Sequence, residues 1–180
     1  MAKTVTTPGS APGMGAAVLI SAGTMDASDV TTIAWIGTLC SEPPVIGIGV
    51  RPARWLHHFI VETGAFVVNV PDTKHVRELD LCGTVSGKAH DKWALARLTR
   101  EEGTVTGTPM VAECPLNLEC RVRETVHLGS HDLFLGEVVA SYTDEGTRRG
   151  SGLHDPVCYI GGKYWKLGDL LGPMGLSRTE

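Results

Sequence analysis

Two arginines lie at the boundary between a predicted strand and a predicted helix, in the segment Arg51-Pro-Ala-Arg54. A guanidinium group can bind a phosphate through two parallel N–H donors. The start of a helix adds free backbone N–H groups and the positive end of the helix dipole. The segment is therefore a candidate phosphate site, and two solvated arginines are the alternative that its sequence leaves open.

A second candidate anion site is the segment Ser86-Gly-Lys88, which is followed by Lys92. Gly87 permits a turn whose backbone N–H groups face an anion. The side chains of Ser86, Lys88 and Lys92 would add a hydroxyl group and two positive charges. Lysines in loops are also commonly solvated, so this segment alone does not identify a ligand.

The predicted strand around Thr31-Thr-Ile-Ala-Trp35 offers a surface for a planar ring. The small side chain of Ala34 and the hydroxyl group of Thr32 would let such a ring approach the backbone. Trp35 could contact the ring through its aromatic face. A tryptophan that fills the core is the alternative, because its large apolar surface favours burial.

The sequence lacks the motifs of several other enzyme classes. Gly47-Ile-Gly49 lacks the third glycine of a dinucleotide fingerprint, and the segment 83–88 is one residue too short for a phosphate loop. No Gly-x-Ser-x-Gly nucleophile elbow occurs in the sequence. His127 and His131 would share one face of a strand, but ~13 Å apart at ~3.3 Å per residue. We therefore expect neither a metal site nor a nucleophilic side chain.

Composition excludes further classes. The chain has 180 residues, of which 42% are hydrophobic and 20% charged, as in an ordinary globular domain and unlike a disordered chain. Its formal net charge of −4 disfavours a nucleic-acid binder. The longest apolar runs are too short for a membrane span, which needs about 20 residues. The five cysteines form no Cys-x-x-Cys pair, so we expect reduced thiols and a cytoplasmic location.

The elements that must position these residues are mostly strands. We predict an arm over residues 1–14, a domain over 15–172 and a tail over 173–180. Helices are predicted from Pro52 to a stop at Gly64 and over His75–Cys82 and Asp91–Leu98, with a polar loop over 144–156. Strands are predicted over Gly15–Ala22, Val30–Leu39, Val45–Arg51, Ala65–Val70, Leu116–Leu128, Asp132–Tyr142 and Val157–Trp165, the last as a strand pair or a bent strand. Strands and helices do not alternate, which favours a mainly β fold, an antiparallel barrel with short helical insertions.

Eight short segments, in order, resemble the flavin reductase-like family. They are Thr31-Thr-Ile-Ala-Trp-Ile-Gly37, Pro43-Pro44, Arg51-Pro-Ala-Arg54, Glu62-Thr-Gly-Ala-Phe-Val-Val-Asn69, Cys82-Gly-x-x-Ser86-Gly, Asp91-Lys-Trp93, Leu118-Glu-Cys120 and His131-Asp-x-x-x-Gly136-Glu-Val138. Within this family the chain is most similar to the flavoredoxin group, over about residues 15–172.

The resemblance implies a split antiparallel β-barrel that binds FMN, commonly as a homodimer with FMN near the interface. Thr32, Ala34 and Trp35 would line the flavin ring, with His131 near it and Tyr164 flanking it. The phosphate and ribityl chain would be held by residues of the two candidate anion sites, namely Arg51, Arg54, Ser86, Gly87, Lys88 and Lys92. The chain departs from the flavoredoxin pattern at Asp29, where Asn is common, and at Leu56, where Thr or Ser is common.

Three functions are compatible with this resemblance. The leading one is an NAD(P)H-dependent flavin reductase, in which FMN supplies the redox chemistry and His131 orients the reactants. The second is an electron-transfer flavoprotein, and the third is a barrel that binds flavin or another phosphate ligand without catalysis. An acceptor protein, or a monooxygenase that uses reduced flavin, would be the partner, with Trp55, Phe59 and Trp165 in the homodimer contact. We expect neither nucleic acid nor a membrane as a partner.

Overall fold

The computed structural model describes residues 14–144, 148–149, 152–153, 155–172 and 174, which form a mainly β fold. Its strands are β1 (Met14–Ala16), β2 (Val18–Gly23), β3 (Ser28–Ile33), β4 (Ile36–Ser41), β5 (Pro44–Val50), β6 (Ala65–Val70), β7 (Arg100–Glu102), β8 (Pro109–Val111), β9 (Leu116–His127), β10 (Asp132–Thr143), β11 (Arg148–Arg149), β12 (Gly152–Leu153), β13 (Val157–Ile160) and β14 (Lys163–Lys166). Its helices are α1 (Trp55–Thr63), α2 (Val76–Thr84), which follows a 3-10 turn at Thr73–His75, and α3 (Lys92–Ala96).

Seven strands form the main sheet, in the antiparallel order β3-β2-β6-β9-β10-β5-β4. The two edge strands, β3 and β4, are consecutive in sequence and are separated only by Ala34 and Trp35. Three Cα–Cα steps of about 3.8 Å limit the gap between Ile33 and Ile36 to about 11 Å. The sheet must therefore curl until its edges approach each other without pairing. This geometry confirms the predicted split β-barrel.

The prediction of one continuous strand over Val30–Leu39 is wrong, because the segment changes partners in its middle. β3 pairs with β2, whereas β4 pairs with β5 at the opposite edge of the sheet. Ala34 and Trp35 leave the ladder to make this crossing. The carbonyl of Trp35 accepts a hydrogen bond from the backbone N–H of Gly49 at 2.9 Å, which fixes the crossing segment against β5.

Two apolar clusters cover the two faces of β2. Side chains of a strand alternate between faces, and Val18 and Ile20 pack with Phe59 of α1 and Phe134 of β10, whereas Leu19 packs with residues of α2 and α3. Burial of each large apolar side chain contributes about 1.5–3 kcal/mol. The helices are thus held on the sheet by their apolar faces. This packing brings helix ends close to the split, the gap between the edge strands β3 and β4.

The helix predicted from Pro52 begins three residues later, at Trp55. The N–H of Arg54 closes a turn onto the carbonyl of Arg51 at 2.9 Å, with Pro52 and Ala53 in the central positions. Proline favours the second position of such a turn, so this segment is a turn and not the first turn of α1. The predicted stop at Gly64 is confirmed by its left-handed φ of 66° and its N–H bond to the carbonyl of Ile60.

Two predicted strand pairs are confirmed, and other predicted segments differ or lie outside the described residues. The hairpin of β9 and β10 and the final strand pair of β13 and β14 are present. The run 15–22 is divided at Ala17, because β1 joins β13 in a second sheet. The predicted polar loop contains the short strands β11 and β12, and it lies partly outside the described residues. The predicted arm and tail also lie outside them, except for Met14 and Met174. All five cysteines are free thiols.

Candidate functional site

A cleft of about 460 Å³ opens at the split between the two edges of the main sheet. This volume lies within the range of about 300–1,000 Å³ that is typical of small-molecule sites. Its lining comes from the end of β3 and the crossing segment, from the end of β5 and the turn before α1, from the second half of α2, from the connection between β9 and β10 and from the hairpin of β13 and β14. The lining residues are Thr32, Ile33, Ala34, Trp35, Gly49, Arg51, Arg54, Asp80, Gly83, Thr84, His131, Tyr159, Gly162 and Tyr164.

Arg51 and His131 meet across this cleft. The Nε–H of Arg51 donates to Nε2 of His131 at 3.3 Å. A guanidinium group can only donate, so Nε2 carries the lone pair and the proton of the neutral ring is assigned to Nδ1. Nδ1 lies 2.9 Å from Oγ of Ser130, which can accept that proton's hydrogen bond. Both ring nitrogens of His131 are thus already engaged by protein groups.

His131 is neutral at pH 7 in this setting. Burial lowers the pKa of His131 below its ordinary value of 6.5, and the positive charge of Arg51 lowers it further. Protonation of Nε2 would remove the acceptor that Arg51 uses and would place two cations in contact. The site therefore favours an uncharged imidazole beside a charged guanidinium group.

Trp35 forms the rim of the cleft beside this pair. Its ring centroid lies 4.1 Å from that of His131, with an angle of 38° between the planes, and 47% of the tryptophan surface remains exposed. Gly49 lies next to this side chain, and a methyl group there would contact Trp35 at 3.5 Å, an ordinary van der Waals distance. An exposed aromatic face of this kind can stack on a planar ligand.

The N-terminus of α1 faces the same cleft through Arg54. Arg54 is the N-cap residue, and no side chain accepts the N–H groups of the first turn. The first turn also contains no acidic residue of its own. Arg54 is exposed, and together with Arg51 it gives this end of the cleft two fixed positive charges. The arrangement is suited to a phosphate group.

The opposite wall is formed by α2, which packs directly on β3. The hydroxyl of Thr31 donates to the carbonyl of Cys82 at 2.9 Å, and that of Thr32 donates to the carbonyl of Leu79. A Cβ on Gly83 would lie 3.1 Å from that of Thr32, so the glycine permits this close approach. The packing turns Asp80 and Thr84 toward the cleft.

Tyr164 reaches the cleft from the hairpin of β13 and β14. Gly161 and Gly162 have φ values of 58° and 79°, the left-handed conformation that a two-residue hairpin turn requires. Burial raises the pKa of Tyr164 to about 12, with a further contribution from the carboxylate of Asp80. Its phenol therefore remains an uncharged hydrogen-bond donor at physiological pH.

A second cleft, of about 380 Å³, lies beside the turn between α2 and α3 and contains Gly87, Lys88 and Lys92. Lys92 is not available to a ligand there, because its Nζ lies 3.0 Å from Oδ1 of Asp29 and the side chains are only 2% and 3% exposed. A Cβ on Gly87 would lie 2.3 Å from the same Asp29 oxygen, so the glycine makes room for this carboxylate.

Burial sets the protonation behaviour of the Asp29–Lys92 pair. It raises the pKa of Asp29 and lowers that of Lys92, and the attraction between the two charges opposes both shifts. The positive charge of Arg54 adds to the lowering at Lys92. Asp29 therefore faces Lys92 and not solvent. The other departure from the family pattern, Leu56, is fully buried in the core cluster of α1.

Seven of the eleven predicted site residues line the first cleft, namely Thr32, Ala34, Trp35, Arg51, Arg54, His131 and Tyr164. Gly87, Lys88 and Lys92 line the second cleft, and Ser86 is exposed on the turn that leads to it. The sequence did not identify Asp80, Thr84 or Tyr159 as lining residues. Tyr159 had a detectable signal, because it and Tyr164 symmetrically flank the Gly161-Gly162 turn.

Within the described ranges, no group of three or more His, Cys, Asp or Glu side chains is arranged to hold a metal ion. None of the described helices is long and apolar enough to span a bilayer.

Comparison with solved structures gives close matches over nearly the whole chain. A flavoredoxin from Methanosarcina acetivorans superposes with a TM-score of 0.90 at 29% identity, covering 99% of this chain and 98% of that one. A flavoredoxin of Desulfovibrio vulgaris (Miyazaki F) superposes with a TM-score of 0.87 at 28% identity, covering 98% and 100%.

Sequence relatives agree with this assignment. The FMN reductase (NADH) RutF of Pseudomonas syringae is 28% identical over 130 residues, which are 72% of this chain and 67% of that protein. Matches to two uncharacterised archaeal relatives, from Archaeoglobus fulgidus and Aeropyrum pernix, span 63% and 59% of the lengths of those proteins. Residues 13–168 match the family model described as the flavin reductase like domain. The chain therefore belongs to the flavin reductase-like family, as its sequence motifs predicted.

Proposed function

We propose that this protein binds FMN in the cleft at the split and reduces flavin with NAD(P)H. The observation that carries the proposal is the pairing of two features in one cleft, the Arg51–Arg54 turn at the start of α1 and the Trp35–His131 aromatic pair. The first suits a phosphate and the second suits a planar ring. The similarity to an FMN reductase and to flavoredoxins supports the same assignment.

The residues of the cleft fit the chemistry of FMN. Arg51, Arg54 and the uncapped start of α1 would hold the phosphate, and charge-assisted hydrogen bonds of this type contribute about 1.5–3 kcal/mol each. Trp35 and the backbone at Ala34 and Gly49 would contact the flavin ring. Tyr164 would flank the ligand from the hairpin of β13 and β14 as a neutral phenol beside Asp80.

Bound FMN would supply the two-electron redox chemistry. The role of the protein would be to orient the two ring systems and to exclude water. His131 lies beside Trp35 as a neutral imidazole. It can therefore help to orient the reactants without placing a second positive charge next to Arg51. None of these residues is required to act as a nucleophile.

A second candidate function is electron transfer to a protein partner by a permanently bound FMN. The similarity to two flavoredoxins over nearly the whole chain favours it. In that case the acceptor would be a redox protein. In the reductase case the consumer would be an enzyme, such as a monooxygenase, that uses reduced flavin.

We also propose a homodimer, because exposed aromatic side chains remain on the surface. Trp55 is 37% and Trp165 is 53% exposed, and both could enter a contact. Phe59, which the sequence also suggested for the contact, is only 8% exposed and is already packed in its own core. Sedimentation at micromolar concentration tests this proposal, and a monomer would contradict it.

One experiment separates the functional candidates. The purified protein is mixed with FMN, its visible spectrum and flavin fluorescence are recorded, and NADH and NADPH oxidation are then followed. Steady nucleotide oxidation that requires FMN supports the reductase. A yellow protein that is inert to both nucleotides supports the electron carrier. Failure to bind FMN would refute both.

A further inference from the structure

The carboxylate of Asp132 joins the two elements that carry Arg51 and His131. Its Oδ2 lies 2.7 Å from Nε2 of His57 on α1, and its Oδ1 lies 2.9 Å from Nδ1 of His127 at the end of β9. The Asp132 side chain is only 7% exposed. An ionised carboxylate can only accept, so each histidine donates an N–H to it.

The first of these bonds reaches Arg51 through the start of α1. The backbone N–H of His57 donates to the carbonyl of Arg54 at 3.0 Å, and the N–H of Arg54 donates to the carbonyl of Arg51 at 2.9 Å. The His57 ring is also packed edge-on against Phe134, with centroids 5.2 Å apart. A continuous set of hydrogen bonds thus runs from Asp132 to the turn that presents Arg51.

The second bond closes the tip of the β9–β10 hairpin. Asp132 and His127 are partners in the strand register, and they flank the four-residue connection 128–131. Inside this pair, the N–H of Leu128 donates to the carbonyl of His131 at 3.0 Å. One backbone bond and one side-chain bond therefore fix the segment from which His131 enters the cleft.

We propose that Asp132 is a positioning residue, whose carboxylate holds the α1 start and the hairpin tip together so that Arg51 and His131 meet in the cleft. Asp132 also pairs in register with Val50, the residue before Arg51, so a shift at Asp132 moves both partners of the contact. The two histidine donors lower the pKa of Asp132, which keeps its carboxylate ionised. The catalytic consequence rests on the proposed flavin reduction, whereas the structural consequence at His131 does not.

The test uses Asp132→Asn, which keeps the size of the side chain but leaves one acceptor oxygen for two histidine donors. We expect the single-turnover rate of FMN reduction by NAD(P)H to fall about tenfold, because small misplacements of reacting groups are costly. We expect the dissociation constant of FMN to change less than about threefold, because Arg54 and the start of α1 remain to hold the phosphate when Arg51 shifts. The nitrogen NMR signals of His131, assigned with a His131→Gln sample, should change from the Nδ1–H tautomer to a mixture.

Two further variants make the result specific. Glu137→Gln is the matched control, because Glu137 lies on the same strand in an exposed ion pair with Arg123 and should change none of these readouts. His57→Ala should resemble Asp132→Asn, whereas His57→Gln, which retains an N–H donor, should restore most of the rate. If Asp132→Asn does not fold, the two His57 variants still test the positioning role of Asp132.

The contradicting outcomes are distinct. Loss of thermal stability alone, with an unchanged rate and an unchanged His131 tautomer, would reduce Asp132 to a structural residue. Equal losses of rate and FMN affinity would also overturn the proposal, because they indicate general loosening of the cleft. If the wild-type protein does not oxidise NAD(P)H, the proposed function fails, and the His131 tautomer in Asp132→Asn then decides the positioning role by itself.

Discussion

The Nζ of Lys92 lies 3.0 Å from Oδ1 of Asp29, and this ion pair is almost completely buried between β3 and α3. A lysine in this position is a structural cation. Its charge is compensated inside the protein, which leaves Arg51 and Arg54 as the fixed positive charges that line the first cleft among the described residues.

Lys92→Met should strongly destabilise the protein. Breaking a buried ion pair leaves an uncompensated charge, so we expect the free energy of unfolding to fall by about 3–5 kcal/mol. The double variant Asp29→Leu/Lys92→Met should recover much of this loss, because no buried charge then remains. Denaturant unfolding measures both changes.

The control for this prediction is Arg123→Met, which breaks the exposed pair with Glu137 and should cost less than about 1 kcal/mol. A measurement of FMN affinity could contradict the structural role of Lys92. If folded Lys92→Met loses more than about tenfold in FMN affinity, a difference of about 1.4 kcal/mol, Lys92 must leave Asp29 to contact the ligand.

The local features of the fold were predictable because their causes are local. Gly64 ends α1 in a left-handed conformation, and the pattern around Gly129 and Ser130 indicates a hairpin. The division of the strand at Ala34 and Trp35 was not predictable in the same way. Nothing in the β-branched run 30–39 reveals that its two halves pair at opposite edges of one sheet.

The candidate site shows the same limit. Arg51, Arg54 and Trp35 carried a recognisable chemical signal, and the structure brings them to one cleft. The contact between Lys92 and Asp29 depends on the packing of α3 against β3, which no short segment encodes. The ligand contact predicted for Lys92 from its sequence neighbours is therefore replaced by a buried contact with Asp29.

Arg54→Ala should weaken FMN binding while the fold is retained. Arg54 is exposed at the uncapped start of α1, so its removal takes away a charge-assisted phosphate contact and little packing. We expect a loss of about ten- to a hundredfold in affinity, corresponding to about 1.5–3 kcal/mol. Quenching of flavin fluorescence gives the dissociation constant.

Arg77→Ala provides the comparison, because Arg77 is an exposed arginine of α2 that lines a different cleft. It should leave FMN affinity unchanged. Equal affinities for Arg54→Ala and wild type would instead move the phosphate to the second cleft, beside Lys88.

His131 should titrate below its ordinary pKa of 6.5. Because the folded state holds this proton less tightly than the unfolded chain, the contribution of His131 to stability decreases as the pH falls through 6.5 toward the folded-state pKa. Arg51→Gln removes the neighbouring positive charge, so it should raise the pKa of His131. Burial remains in that variant, so the ordinary value should not be fully restored.

The ring-proton NMR shifts of His131 as a function of pH measure this effect. Arg54→Gln is the matched control, since Arg54 also lines the cleft but makes no hydrogen bond to His131 in the structure. A titration that is identical in wild type and Arg51→Gln would show that the 3.3 Å contact is not maintained in solution.

His131→Ala should slow flavin reduction more than it weakens FMN binding. The imidazole packs on Trp35 and accepts a hydrogen bond from Arg51. Its loss leaves both arginines at the phosphate end of the cleft but removes the contact that holds Trp35 beside the ring. An interaction that is used mainly in the transition state contributes about 1–3 kcal/mol, or tens-fold in rate. The single-turnover rate of NAD(P)H-driven bleaching of FMN is measured beside the FMN dissociation constant. Equal losses in both quantities would mean that His131 only binds the cofactor. No loss in either would mean that Trp35 and the backbone suffice to orient the rings.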